Sequence, residues 1–328
     1  MLVRWKSFSS NKANSSKMNE WKTTVFLLCA AAVGLLLKAR FNKWPSLKDR
    51  NLSWRELETE LSDVNALLGH HLRRSVEPFL SANISLFQET FNWWKQLQRE
   101  KHDLNCYKST VQKLFEIFPP TSKADPVRYR TCAVVGNSVN LRGAAYGQLI
   151  DFHEVIIRMN GAPIQGHEED VGVKTTHHVM YPESAVDLNN STRLVLFPFK
   201  IQDLQWLIKA FTTGFNGKSY VKVKSKIKAN KDLVKVINPT FMKYVHEVWM
   251  KKKGSYPSTG FMALVLALHI CDDVHVFGYG ADSNGNWSHY WETLKDKKLK
   301  TGLHPGQHEY ALIQHLANGR KLKLYKGL

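Results

Sequence analysis

Several motifs that hold metals or nucleotides are missing from this 328-residue sequence. It contains no D-x-D carboxylate pair, no P-loop of the form G-x-x-x-x-G-K-[ST] and no full G-x-G-x-x-G fingerprint. The G-x-S-x-G nucleophile elbow and the H-E-x-x-H zinc motif are absent as well. If the chain binds a phosphate, it must therefore do so with hydrogen bonds and helix dipoles instead of a carboxylate-held metal ion.

Cysteine is scarce, with Cys29, Cys106, Cys132 and Cys271 as the four examples. None belongs to a C-x-x-C pair, so a structural zinc site has little support. In an oxidising compartment Cys132 and Cys271 can pair and close a very long loop, and otherwise both are buried free thiols. These features alone favour neither alternative.

Acidic residues are outnumbered, with 28 Asp and Glu against 46 Lys and Arg and a formal net charge of +18. This excess suits an anionic partner, whether a nucleic acid, a membrane surface or an anionic small molecule. The charge is spread along the chain, and no zinc-finger, RNP or homeodomain pattern is present, so nucleic acid is disfavoured. The length predicts one catalytic-sized domain with an N-terminal extension.

The extension contains one uncharged run at residues 23–37, bounded by Lys22 and Lys38. As a helix it covers about 23 Å, short of the roughly 30 Å of a typical hydrocarbon core but suited to a thin early-secretory bilayer. A cleaved signal peptide is the alternative, but Ala39 lies between Lys38 and Arg40, a poor cleavage site. We therefore expect a cytoplasmic tail at 1–22, a signal anchor at 23–37, a stem at 38–76 and a luminal domain at 77–328.

Glycosylation sequons agree with a luminal C-terminal region. One begins at Asn14, before the anchor, and the others begin at Asn51, Asn83, Asn189, Asn190 and Asn286.

Strand-like and helix-like segments alternate through the luminal region. We predict strands at 132–135, 155–159, 194–199, 220–228, 233–237 and 273–278. We predict helices at 77–99, 111–118, 201–211, 241–252 and 261–271. This alternation predicts a mostly parallel sheet with helices on both faces.

Polar turns follow several of these strands. Residues 132–135 lead into Gly136-Asn137-Ser138, and residues 155–159 end on Asn160. Strand ends of parallel sheets are where open α/β folds bind ligands, so the two asparagines predict a site at that edge. A third turn, residues 258–260, can direct helix N–H groups at a phosphate, although an ordinary helix cap is the simpler interpretation. Lysines alternate through 220–228, which predicts a strand with one solvated face or, as the sharper alternative, a phosphate groove.

Four segments together resemble the sialylmotifs of animal sialyltransferases, glycosyltransferase family 29. Residues 132–184 resemble the large motif, and residues 238–281, with YPSTG and HICDDVHVFGYG, resemble the small motif. HYWE at 289–292 resembles the third motif, and HPGQHE at 304–309 resembles the very small motif. Within the family, TTHHVMYPES and GYGADSNGNW are most similar to the β-galactoside α-2,3-sialyltransferases that act on Galβ1-3GalNAc.

The resemblance implies an α/β fold, a Rossmann-like GT-A variant with a twisted, mostly parallel sheet, in one Golgi-anchored catalytic domain. It implies metal-independent, inverting transfer of sialic acid from CMP-sialic acid to the 3-hydroxyl of terminal galactose on glycoproteins or glycolipids, with no cofactor. The membrane orientation would be single-pass type II, and a homodimer is a candidate assembly.

The same resemblance assigns residues. His304 would act as the base, and His289 would bind the donor phosphate. Donor contacts would come from Asn137, Ser138, Asn160, Tyr220, Tyr256, Ser258, Thr259, Gly260, Gly280 and His289. Acceptor contacts would come from Gln98, Tyr220, Tyr256 and His304. The resemblance also implies a disulfide between Cys132 and Cys271.

Two departures from the family pattern bear on function. Val139 replaces the usual glycine after Asn137-Ser138, and Cys106 lacks an obvious partner in the chain. The alternative to an enzyme is therefore an inactive sialyltransferase-like protein that binds glycan or nucleotide, although retention of both histidines argues against it. Glu309 is expected either to orient His304 or to cap a helix.

Overall fold

The computed structural model describes residues 76–118, 129–293 and 304–327. The expected tail and anchor, and all but the last residue of the expected stem, lie outside these ranges. Within the described ranges, no helix is long and apolar enough to cross a membrane.

The fold is built on one seven-stranded sheet in the order β5-β4-β3-β2-β1-β6-β7, with every neighbouring pair parallel. The strands are β1 Thr131–Val135, β2 Val155–Met159, β3 His177–Met180, β4 Arg193–Leu196, β5 Val234–Val236, β6 Asp273–Phe277 and β7 Lys323–Tyr325. The expected parallel α/β sheet is therefore confirmed.

Helices connect these strands. They are α1 Gln88–Leu97, α2 Leu104–Ile117, α3 Gly147–Asp151, α4 Glu168–Val171, α5 Ile201–Ala210, α6 Pro239–Tyr244, α7 Thr259–Ile270 and α8 Gly306–Asn318. The α6 helix continues into a π-helical turn at Val245–Trp249. On the outside of the sheet, α2 packs against α5 and α1 packs against α6.

The strand order reverses beside β1. From β1 to β5 each strand is added on one side, and β6 then returns to the other side of β1. In register, Val135 at the end of β1 lies opposite Phe277 at the end of β6. Such a reversal opens a crevice beyond the carboxyl ends of the two strands, where open α/β folds bind ligands.

The β1 side chains alternate between the two faces of the sheet. Cys132 and Val134 join the larger core, which also contains α7. Ala133 and Val135 join a smaller core on the opposite face. Residues 261–268 of α7 are all buried, as expected for a helix that is apolar on every side. This central helix therefore packs against one face of the sheet, and its N-terminal turn lies at the crevice.

A disulfide joins β1 to the end of α7. Cys132 and Cys271 are bonded, with their Cα atoms 6.0 Å apart. The pair is the one that the family resemblance implied. Cys106 is a half-buried free thiol in α2.

One predicted strand is wrong, because residues 220–228 contain none. The segment runs along the outside of α5, where the carbonyl of Lys224 accepts a hydrogen bond of 2.8 Å from the Trp206 indole. Only Ile227 is buried, and Val221 is 47% exposed. Alternation alone therefore did not make a strand, since no strand in the described part of the chain lies alongside to form a ladder.

The first predicted helix begins later than expected. Residues 77–87 are not helical; instead Phe79 bridges Ile237, and the Leu80 N–H donates to the Val236 carbonyl over 2.8 Å. This pairing covers part of the β5 edge and buries Leu80 in the core. Sequence reasoning also missed the short strands β3 and β7 and the 13-residue helix α8.

Candidate active site

The turn after β1 is fastened to the turn after β6. The Gly136 N–H donates to the Phe277 carbonyl over 2.7 Å, and the Ser138 N–H donates to the Gly278 carbonyl over 3.0 Å. A Cβ on Gly136 would lie 2.3 Å from the Gly278 carbonyl oxygen, a distance that no side chain can adopt. Glycine at position 136 is therefore required by the close approach of two backbones.

The other side of the same turn is fastened to the segment that carries His289. The Val139 N–H donates to the Ser288 carbonyl over 2.9 Å, and the Tyr290 N–H donates to the Asn137 carbonyl over 3.0 Å. Residues 138 and 289 form an isolated antiparallel bridge. Three segments that are far apart in the sequence therefore form one rigid wall of the crevice.

Two polar side chains of this wall are already engaged with protein. The Ser138 hydroxyl donates to the Gly280 carbonyl over 2.7 Å and accepts from the Asn140 N–H over 3.2 Å. The Asn140 amide donates to the Ala281 carbonyl over 3.0 Å. Ser138 and Asn140 therefore shape the turn, and their contacts fix the loop that contains Gly280.

The two asparagines at the strand ends differ in how fully they are satisfied. The Asn137 amide donates to the Met159 carbonyl over 3.4 Å, and its Oδ1 is buried with no hydrogen-bond partner in the described part of the chain. Asn160 has a left-handed φ of 60° and accepts at Oδ1 from the Ser184 hydroxyl over 3.1 Å. Buried polar atoms normally have partners, so the unpartnered Asn137 oxygen is a candidate ligand contact.

His289 is oriented by its own motif. Its Nδ1 lies 2.7 Å from Glu292 Oε1, close enough for an ion pair although not aligned as a hydrogen bond. Its ring stacks on Trp291 at 4.5 Å, nearly parallel. Burial by itself raises the pKa of Glu292, but the contacts with His289 hold that pKa below its usual value. With Nδ1 facing a carboxylate, Nε2 is the ring nitrogen left for a ligand.

The first turn of α7 is held by Glu309. The Ser258 N–H donates to Glu309 Oε1 over 2.7 Å, and the Ser258 hydroxyl donates to Oε2 over 2.6 Å. The same hydroxyl accepts from the Phe261 N–H over 3.1 Å, as an N-cap does. Glu309 therefore supports the N-cap residue of α7, and it also interacts electrostatically with nearby His304.

The capping contacts leave two helix N–H groups available. Those of Thr259 and Gly260 have no hydrogen-bond partner among residues 76–118, 129–293 and 304–327. A Cβ on Gly260 would lie 3.3 Å from the Tyr279 ring, whose hydroxyl donates to the Gly260 carbonyl over 2.8 Å. An anion at this helix terminus would meet free donors and the positive end of the dipole.

Glu309 itself is buried. Burial raises the pKa of its carboxyl group, while the hydrogen bonds from Ser258 and the charge of nearby His304 act in the opposite direction. The carboxyl is only 6% exposed. Its position thus ties the very small motif to the start of α7.

His304 lies beside Tyr256. Its Nδ1 is 3.3 Å from the Tyr256 carbonyl oxygen, and the two rings meet edge to face at 4.9 Å. A carbonyl can only accept, so Nδ1 carries the hydrogen in this contact. The basic lone pair of the neutral ring is then on Nε2, as a general base requires.

The predicted acceptor residues meet at the start of α5. Gln98 Oε1 accepts from the Lys200 ammonium over 2.7 Å. The same ammonium lies 5.9 Å from the centre of the Tyr220 ring, which is 70% exposed. Tyr256 packs against Phe199 with ring centres 5.6 Å apart. Tyr220, expected on both the donor and acceptor sides, thus lies with the acceptor group.

Known proteins are similar to most of this chain. The model of glycosyltransferase family 29 (sialyltransferase) matches residues 79–321. The chain belongs to this family. The sialyltransferase is 44% identical over 271 residues to CMP-N-acetylneuraminate-beta-galactosamide-alpha-2,3-sialyltransferase 1 of Sus scrofa. This alignment covers 80% of this chain and 79% of that protein. It is 44% identical over 265 residues to the type 2 enzyme of Rattus norvegicus, covering 78% of this chain and 75% of that one.

A solved structure agrees with these relatives. A mammalian sialyltransferase crystallised in complex with Gal-beta-1-3GalNAc-ortho-nitrophenol aligns with a TM-score of 0.72 at 44% identity. The alignment covers 78% of this chain and 92% of that one. This sialyltransferase is therefore a glycosyltransferase with the fold that the sequence motifs implied.

Sequence reasoning missed three polar residues of the sialyltransferase site. Asn140 is within the large motif, and Ser184 follows β3 in the segment YPES, so recognising β3 as a strand would have placed Ser184 at the site edge. Lys200 carried no signal, since a single lysine before a helix is usually a surface residue. Within the described ranges, no three His, Cys, Asp or Glu side chains form a group that could hold a metal ion.

Proposed function

We propose that this sialyltransferase transfers sialic acid from CMP-sialic acid to the 3-hydroxyl of galactose in Galβ1-3GalNAc, on O-glycans or glycolipids. The names of its relatives specify α-2,3 transfer to β-galactosamide acceptors, and the structural neighbour was crystallised with a Galβ1-3GalNAc derivative. The observation that carries the proposal is the contact of His304 with Tyr256, three residues before the start of α7. A base therefore lies beside the free N–H groups that suit a departing phosphate.

The donor would occupy the crevice at the reversal of strand order. Asn137 and Asn160 would contact the CMP moiety, and Gly280 would let the backbone approach it closely. The N–H groups of Thr259 and Gly260, with His289, would bind the phosphate. Ser138 and Ser258 would support these contacts from behind, since their hydroxyls are engaged with protein.

The chemistry follows from these positions. The bond between the anomeric carbon of sialic acid and the phosphate oxygen breaks, so positive charge develops on the sugar and negative charge on CMP. Fixed N–H donors at the α7 terminus stabilise the phosphate charge and require no metal ion. His304 Nε2 takes the proton from the galactose 3-hydroxyl as its oxygen attacks from the opposite face, which inverts the anomeric centre.

The test is a transfer assay on the full-length chain. CMP-sialic acid is incubated with Galβ1-3GalNAc, Galβ1-4GlcNAc and glycolipid acceptors, with and without EDTA, and the product linkage is read with a linkage-specific sialidase. We expect α-2,3 transfer to Galβ1-3GalNAc at a rate that EDTA leaves unchanged. Sensitivity to EDTA would contradict the metal-independent mechanism.

The alternative of an inactive binding protein depended on Val139. Val139 has no left-handed φ, and it opens a short 3-10 turn at Val139–Leu141 while donating to Ser288. The turn therefore needs no glycine at this position, which supports the enzyme. Absence of transfer to every acceptor, with CMP-sialic acid binding retained, would favour the binding protein instead.

We further propose a single-pass type II Golgi enzyme with a tail at 1–22, an anchor at 23–37, a stem at 38–76 and a catalytic domain at 77–328. Protease protection in sealed microsomes tests the orientation, because only the tail is then exposed to protease. A homodimer is proposed as well. Gel filtration of the wild type and of Cys106→Ser, under non-reducing conditions, tests for it and for a bond between chains.

A further inference from the structure

Lys200 lies at the meeting point of three acceptor atoms. Its ammonium is 2.7 Å from Gln98 Oε1, 3.1 Å from Glu183 Oε1 and 3.1 Å from Asp203 Oδ1. An ammonium group has three hydrogens to donate. It donates hydrogen bonds to Gln98 and Glu183, whereas Asp203 Oδ1 forms an ion pair with it that is not aligned as a hydrogen bond. The Lys200 side chain is only 14% exposed.

The two carboxylates that hold Lys200 are buried more deeply. The Glu183 and Asp203 side chains are 3% and 1% exposed. Asp203 Oδ2 accepts from the Phe199 N–H over 2.7 Å, and Glu183 Oε1 accepts from the Ser219 hydroxyl. Burial alone lowers the pKa of Lys200, but the two carboxylates raise it above its usual value. The ammonium therefore stays charged and fixed in position.

This arrangement decides which way the Gln98 amide faces. Lysine can only donate, so Gln98 must present its oxygen to Lys200, and its NH₂ group is left on the other side of the amide plane. In the described part of the chain, that NH₂ group has no hydrogen-bond partner. We propose that Lys200 is a positioning residue that locks the Gln98 amide so that its N–H donates to a hydroxyl oxygen of the acceptor galactose.

The same ammonium influences two other residues on the acceptor side. It lies 5.9 Å from the centre of the Tyr220 ring, within the range of a cation–π contact. Burial raises the pKa of the Tyr256 hydroxyl, and the charge of Lys200 partly opposes this rise. One buried cation thus borders Gln98, Tyr220 and Tyr256. The inference rests on the proposed function, because it concerns how the same acceptor is bound.

Lys200→Met keeps the length of the side chain and removes its donors. We expect the acceptor KM to rise about tenfold, the effect of one lost hydrogen bond, while the donor KM and the slow hydrolysis of CMP-sialic acid by water stay unchanged. Lys200→Arg can still donate to the Gln98 oxygen and should recover most of the acceptor KM. Lys209→Met is the control, since this exposed lysine lies on α5, the helix that Lys200 precedes.

Gln98→Glu provides a test that leaves Lys200 and both of its carboxylates in place. Glutamate keeps an oxygen against the ammonium but has no N–H to offer. We expect a rise of about tenfold in acceptor KM, matching Lys200→Met. If Lys200→Met does not fold, Gln98→Glu still decides the question.

The measurements are steady-state kinetics and the Kd for Galβ1-3GalNAc, both on the purified full-length chain. An unchanged acceptor KM and Kd in Gln98→Glu would overturn the inference, as would equal rises in donor and acceptor KM in Lys200→Met. A wild-type chain that binds the disaccharide without transferring sialic acid would contradict the proposed function alone, because the Kd of each variant would still test Lys200. A wild-type chain that does not bind it would overturn both.

Discussion

Removing the disulfide is the most direct test of how this fold supports its site. The change is the double substitution Cys132→Ala and Cys271→Ala. The bond joins the amino end of β1 to the residue after α7, whereas the turn at 136–138 follows the carboxyl end of the same strand. The parallel pairing of β1 with β2 and β6 does not depend on sulfur, so we expect the variant to fold.

The expected loss of stability comes from the length of the closed loop. The two cysteines are 139 residues apart in the sequence. In the chain-entropy treatment, opening a loop of this length gives the unfolded chain more conformational freedom, which lowers the free energy of unfolding by about 5 kcal/mol at 25 °C. Measured effects of removing native disulfides are about 2 to 5 kcal/mol. Because domains have only about 5 to 15 kcal/mol of net stability, the loss is a large fraction of the total.

Urea unfolding of the full-length chain, followed by tryptophan fluorescence, measures this difference. The buried indoles of Trp94 and Trp206 report on the core. Cys106→Ala is the matched control, because it removes a thiol that forms no disulfide within the chain. At low temperature we expect the kcat of the folded double variant to match that of the wild type. A loss below about 1 kcal/mol would refute the loop-entropy argument, and a large fall in kcat would show that the bond also shapes the site.

Four further predictions follow from single contacts. Burial raises the pKa of Asp203 to about 6 from 3.8. Protonation of Asp203 therefore favours the folded state, and the free energy of unfolding of the wild type, relative to Asp203→Asn, is highest below about pH 4. This difference falls by up to about 3 kcal/mol as the pH rises through 6. Urea titrations from pH 4 to 7 measure it, and a constant difference would contradict the assignment. Ser258→Ala removes the N-cap and leaves Glu309 with fewer partners, so thermal unfolding should show a loss of about 1 to 2 kcal/mol. Gly280→Ala places a Cβ 2.7 Å from the Tyr310 ring at a φ of 93°, so we expect a loss of about 1 to 3 kcal/mol in the same measurement; an unaltered midpoint would argue against that geometry. His304→Ala should lower kcat by about 10²- to 10⁴-fold, and wild-type turnover would remove His304 from the mechanism.

Much of the fold could be predicted because its central elements have strong local patterns. Residues 132–135, 155–159 and 273–277 are mostly apolar segments bounded by turns, and α7 is apolar along most of its length. Family motifs added the disulfide and the order of the site segments. Where the pattern was weak, prediction failed. The segment HHVM of β3 contains two histidines, and its strand character comes from pairing with β2 and β4.

The same limit explains the wrong strand at 220–228. Its alternation of lysine and apolar residues fits a strand, but sheet formation also needs a partner ladder, and the chain places this segment against α5. Periodicity describes which side chains can be buried on one face. It does not determine whether another strand is available there.

The sequence by itself therefore determined the parallel α/β class, the central strands and helix, the family, and the residues that its motifs contain. Only the tertiary structure decided how the polar side chains pair. It paired Glu309 with Ser258, the N-cap of α7, and it joined Gln98, Glu183, Lys200 and Asp203 into one cluster. These partners come from separate elements, and the pattern of hydrophobic residues along a chain carries no information about which buried charge will meet which amide.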